Sequence, residues 1–144
     1  MLHIIDTHLA LRALGRFSMA PDIADDAQLA MTYTTYWRLL SAINRPSSQG
    51  TISRTIDRFG PIAATELEQP SPDIITILDP TLRAPRAARR GALVGVPNVY
   101  GAEILDACIE HESPFFVGHP ANAQGPLMAA LEAAGLTAIH IQPR

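Results

Sequence analysis

The stretch PFFVGHPANAQGPLMAALEAAGLTAIHI, residues 114–141, decides the fold class of this chain. Pro114 to Gly118 is a short apolar run bounded by turn residues, the pattern of a buried strand. Gln124 to Ala134 carries apolar residues at helical spacing, and Gly135 stands at C′, where a left-handed backbone residue ends a helix. Thr137 to Ile141 is a second strand. A helix between two strands marks a crossover between parallel neighbours, since an antiparallel pair needs only a tight turn.

Working outward, Ala92 to Val96 reads as a further strand, and Asn98 as the N-cap of a helix running to about Glu112. Pro70-Ser71-Pro72 breaks the chain before Ile74–Leu78, the clearest strand. At the start, Leu2 to Ile5 is a buried strand closed by Asp6-Thr7-His8, and residues 9–17 have helical spacing. Pro21-Asp22 opens a longer helix ending near Asn44, with Asp22, Asp25 and Asp26 in its first turn. Its apolar face carries Ile23, Ala27, Ala30, Trp37 and Leu40, with Leu29, Tyr33 and Tyr36 beside them. The aromatics read as core and interface side chains, open to a dimer contact. Residues 51–59 suit alternation and helical period equally, and 63–67 are helical. The expectation is a single three-layer α/β domain over residues 1–144, with a mainly parallel sheet flanked by helices.

The 144 residues are 47 % apolar and 17 % charged, enough apolar side chain for a core. All eleven positive charges are Arg, which excludes a Schiff-base Lys, a P-loop Lys and a Lys general base. A formal charge of −3 and a pI near 5.9 argue against a generic basic nucleic-acid binder. Cys108 is the single cysteine, so intrachain disulfides and CxxC motifs are excluded. It shares an apolar face with Ile104, Leu105 and Ile109 and reads as a buried small hydrophobe. The apolar runs are too short to span a bilayer, and no basic segment precedes the first of them. A reducing cytoplasm is the expected location.

In a parallel sheet, working residues sit at the carboxyl ends of strands. That singles out Asp6, Thr7 and His8, then Asp79, then His119 with Asn122. Glu103, Asp106 and Glu110 are spaced i, i+3, i+7 and share one helix face. Asp6, Glu66, Glu103 and Asp106 form a candidate set for Mg or Mn, whose hard character calls for oxygen ligands. Arg83, Arg86, Arg89 and Arg90 read as an Arg-rich loop. Guanidinium forks suit phosphate, so this loop is a candidate contact for RNA or a nucleotide.

Ile4-Ile5-Asp6-Thr7-His8-Leu9-Ala10-Leu11 resembles the opening strand of PIN-domain ribonucleases. Ile62-Ala63-Ala64-Thr65-Glu66-Leu67 is similar to that family's second acidic segment. Gly101-Ala102-Glu103-Ile104-Leu105-Asp106-Ala107, Phe115-Phe116-Val117 and the helix leading to Gly135-Leu136 resemble its C-terminal half. The resemblance implies that Asp6, Glu66 and one of Glu103 or Asp106 hold Mg or Mn for RNA hydrolysis. Where that family usually carries further Asp after the strand, this chain has His119-Pro120-Ala121-Asn122. The resemblance therefore covers a nuclease or its catalytically inactive descendant, which would act as a protein-binding regulatory module. Asp73–Asp79, Gly101–Ile104 and the strand after Pro114 are also similar to nucleoside 2-deoxyribosyltransferases, which implies Glu103 as nucleophile with Asp79 near the nucleoside. Gln49 to Phe59 is similar to a helix-turn-helix recognition helix, although Pro46–Gln49 leaves little room for the helix that must precede it.

Overall fold

Ile4 and Ile5 are both fully buried and belong to two different apolar clusters, which puts their strand in the middle of the fold. Successive strand residues face opposite sides, so a strand buried on both must have helices above and below. The computed structural model describes residues 2–14, 27–43, 68, 70, 73–81, 83–96 and 98–141. These form β1 (Leu2–Ile5), α1 (Thr7–Leu14), β2 (Gln28–Met31), α2 (Tyr33–Ile43), β3 (Ile75–Ile77) and α3 (Ala84–Val94). Then come α4 (Val99–Glu110), β4 (Phe115–Val117), a 3₁₀ turn (Pro120–Asn122), α5 (Pro126–Ala133) and β5 (Ala138–His140).

All strand pairs are parallel, in the order β3-β2-β1-β4-β5. Ile5, Leu29, Met31, Ile75 and Phe116 face the side covered by α1 and by Leu39 of α2. Ile4, Ala30, Phe115 and Val117 face α4 and α5. The result is the expected three-layer α/β architecture. Cys108 lies in this second cluster, fully buried, with its thiol pushed far above the ordinary range by burial.

Local signals place most of these elements. Asn98 caps α4 by accepting from the Gly101 amide at 2.7 Å, and Gly135 takes a φ of 75° just beyond α5. Thr32 begins α2 by accepting from the Thr35 amide at 3.2 Å.

Three expectations need correction. The helix expected from Pro21 to Asn44 is interrupted within its described part: Gln28–Met31 is a strand, and only Tyr33–Ile43 is helical. Leu29 pairs with both His3 and Ile75, and a strand hydrogen-bonded on both edges outweighs the helical spacing of its apolar residues. Trp37 consequently points outward and is 59 % exposed instead of lying in the core. Residues 92–96 are not a strand, because α3 runs through Val94 and ends on Gly95 in the left-handed region. The arginines expected in a loop lie on that same helix, with Arg83 at its N-cap. Its inner face is small, Ala87 and Gly91 being its buried residues, so its helical period lies in the spacing of its arginines and not in large apolar side chains. Residues 49–67, including both the 51–59 and 63–67 segments, lie outside the described residues. No single described helix is long and apolar enough to cross a membrane.

Candidate functional site at the carboxyl end of the sheet

From β1 the chain moves outward through β2 to β3, then returns to lay β4 on the other side of β1. The crevice between the ends of β1 and β4 is therefore the topological switch point, where ligands of open parallel sheets bind. Asp6, Thr7 and His8 follow β1 there; Gly118, His119 and Asn122 follow β4.

Asp6 is completely buried. Its Oδ1 accepts from the Leu9 amide at 2.9 Å, which caps the first turn of α1. Its Oδ2 accepts from the Gly118 amide at 2.9 Å, the His119 amide at 3.3 Å and Asn122 Nδ2 at 2.9 Å. Asn122 Nδ2 also reaches Thr7 Oγ1 at 3.3 Å. A Cβ on residue 118 would lie 2.8 Å from that of His8, so glycine lets the β4 loop close onto the carboxylate. One buried acid thus holds the start of α1 and the end of β4 together.

His119 accepts from the Ala121 amide through Nδ1 at 3.2 Å, so a neutral ring carries its proton on Nε2. Its ring stacks on that of His8, with centroids 5.1 Å apart. The His8 Nε2 atom is buried without a partner among the described residues. Burial lowers the His8 pKa below 6.5, the charge of Asp6 pulls it back up, and His119 pushes it further down. The folded state therefore binds this proton less readily than the unfolded chain, which sets the sign of the pH effect. Stability is expected to fall as the pH drops below about 6.5 and to level off once folded His8 is itself protonated. Denaturation midpoints between pH 7.5 and 5 should slope less in His8→Gln than in the wild type. Equal slopes would assign the effect to another group.

The remaining acids are separated along α4. Glu103, 6 % exposed, accepts from the Thr34 amide at 3.2 Å in the first turn of α2. Asp106 is completely buried and turns to α3, where Arg86 grips it with Nε–Oδ1 at 2.8 Å and Nη2–Oδ2 at 3.0 Å. Arg90 Nε adds a contact at 3.3 Å. Glu110 pairs with Arg83 and with Arg86, the latter at 3.0 Å. Arg83, Arg86 and Arg90 are thus occupied in joining α3 to α4, while Arg89 is exposed. Asp79 lies on an exposed turn after the outermost strand and accepts from the Thr81 amide at 2.8 Å, a bond that lowers its pKa. Glu66 lies outside the described residues. Among the described residues no group of three or more His, Cys, Asp or Glu is placed to hold a metal ion.

The structure brings together Asp6, Thr7, His8, His119 and Asn122, all of them singled out by the sequence. It adds Arg38 and Tyr100, which the sequence reading passed over. The Arg38 guanidinium lies over the Tyr100 ring, 4.1 Å from its centroid, beside a cavity that Asn122 also lines. Burial raises the Tyr100 pKa strongly, the charge of Arg38 opposes the rise, and the charge of Asp6 adds to it. Arg38 had no signal of its own, because its neighbours were read as the middle of one long helix.

The chain matches no protein-family model and no curated protein.

Proposed function

We propose that this chain is a PIN-like α/β module that works by binding rather than hydrolysis, a catalytically inactive descendant of a metal-dependent ribonuclease. The observation that carries this reading is the engagement of the Asp6 carboxylate by four N–H donors. A divalent ion needs open oxygen lone pairs, whereas Oδ2 here faces two backbone amides and the carboxamide of Asn122. That carboxamide stands in the segment where the resembled family usually carries an acid. The charge of Asp106 is likewise matched by Arg86 and Arg90. This donor set does not suit Mg or Mn, so no hydrolytic step is assigned to it. Exposed Tyr33 and Trp37 on α2 give such a module an aromatic contact surface for a protein partner or a second copy.

The test is thermal unfolding with and without millimolar Mg²⁺ or Mn²⁺, on wild type and Asp6→Asn, beside an RNA-cleavage assay. An ion that binds only the native state must raise the midpoint by mass action. The expected results are an unchanged wild-type midpoint and intact RNA. A metal-dependent rise in wild type that Asp6→Asn abolishes, accompanied by cleavage, would replace this reading with the active nuclease.

A further inference from the structure

We infer that the cavity bordered by α2, α4 and α5 binds a small organic molecule through a phosphate group. Its volume is about 230 Å³. That is roughly seven times the ~30 Å³ share of one water in the liquid, room for a phosphomonoester with a body the size of a sugar. Val96 and Leu127 give it an apolar wall, and among the described residues no carboxylate lines it.

Four features converge on an oxyanion. Arg38 makes no ion pair among the described residues, in contrast to Arg83, Arg86 and Arg90, so its N–H fork remains available above the Tyr100 ring. Tyr100 Oη is buried and makes no well-formed hydrogen bond among the described residues; the Arg38 guanidinium is its polar neighbour, and its O–H is left to donate to a bound oxygen. Two helices begin at the cavity, α4 at Asn98–Gly101 and α5 beside Gln124 and Pro126, and each turns its positive end to the space. The N-cap of α5 is Gly125, which offers no side-chain acceptor; Pro126 has no N–H and Ala129 donates to the Gly125 carbonyl, so the Leu127 and Met128 amides are left for an external acceptor.

The number of donors selects the ligand class. With Gly101 and Ala102 already bonded to Asn98, the guanidinium fork, the phenol and the uncapped amides of the two helix starts still outnumber the roughly four lone-pair sites of a carboxylate, and suit the three terminal oxygens of a phosphomonoester. The Gln124 and Asn122 carboxamides lie on the wall where hydroxyls of the body would be met. The site stands apart from the metal question, since it shares only Asn122 with the Asp6 network.

The test is calorimetric titration of the full chain with ribose 5-phosphate, ribose, inorganic phosphate and a short 5′-phosphorylated oligoribonucleotide. Ribose 5-phosphate is expected to bind one to one and more tightly than inorganic phosphate, with ribose silent. Arg38→Met should weaken binding at least tenfold. Tyr100→Phe should weaken it severalfold while keeping the ring beneath Arg38. The inference is overturned if ribose 5-phosphate fails to bind at millimolar concentration, or if binding survives Arg38→Met unchanged. Binding of the oligoribonucleotide alone overturns it in favour of a nucleic-acid end. None of these outcomes depends on added Mg²⁺ or Mn²⁺, so failure here and failure of the non-hydrolytic reading are distinguishable.

Discussion

Asp6→Ala is expected to lower the unfolding free energy by about 3 kcal/mol, the upper end of the range for leaving buried hydrogen-bond donors unsatisfied. Four N–H donors lose their acceptor at once, from Leu9, Gly118, His119 and Asn122. The lost cap on α1 accounts for about 1 kcal/mol of this. The stranded donors at the β4 end contribute the rest, and their costs do not simply add because Gly118, His119 and Asn122 are only partly buried and recover some hydration. Against a typical total of about 5–15 kcal/mol, this loss is a large fraction. Asp6→Asn keeps one carbonyl oxygen but turns an NH₂ toward other donors, and is expected to cost about 2–3 kcal/mol. Urea denaturation in the presence of a chelator measures both, with the midpoint moving and the slope unchanged. A loss below about 1 kcal/mol in Asp6→Ala would mean the network contributes little, and Asp6 would again be a free ligand.

Gly91→Ala is expected to destabilise by about 2–3 kcal/mol, although the same change at an open helix position gains about 1 kcal/mol. Gly91 lies inside α3 where that helix crosses α4. A Cβ there would stand 2.5 Å from the Val96 carbonyl oxygen and 2.9 Å from Ala102 Cβ. The first neighbour is backbone and cannot swing aside, and Val96 is itself held by its amide bond to the Gly91 oxygen at 2.8 Å. The second neighbour stands on α4, so relieving it requires α3 to move off that helix, which pulls Arg86 and Arg90 away from buried Asp106. Ala92→Gly, on the exposed side of the same helix, is the control and should cost only the propensity difference of about 1 kcal/mol. A stabilised Gly91→Ala protein would show that α3 is not seated as described.

Both substitutions fall where local signals and tertiary contacts part company. Asp6 was legible as a residue at the end of a buried strand, yet its aspect as a helix cap was overlooked. Thr32 repeats the pattern after β2: the residue that closes the strand caps the helix that follows. Glu103, Asp106 and Glu110 share helical spacing, but spacing says nothing about which helix each one meets. Packing sends Glu103 to α2 and the other two to α3.

The sequence by itself determined the α/β class, β1, β3, β4 and β5, the caps of α4 and α5, and the strand-end polar residues. Each of these rests on a short-range rule: an apolar run, a capping side chain, a glycine free to take positive φ. Only the tertiary structure decided that Gln28–Met31 is a strand and that the arginines stand on a helix. A parallel strand buried on both faces loses its alternation, and α3 seats itself on small residues, so its period shows only in the arginines that turn to α4. The tertiary structure also decided what Asp6 does. Asn122 reaches it across 116 positions of chain, and the character of a buried carboxylate is set by the donors that surround it.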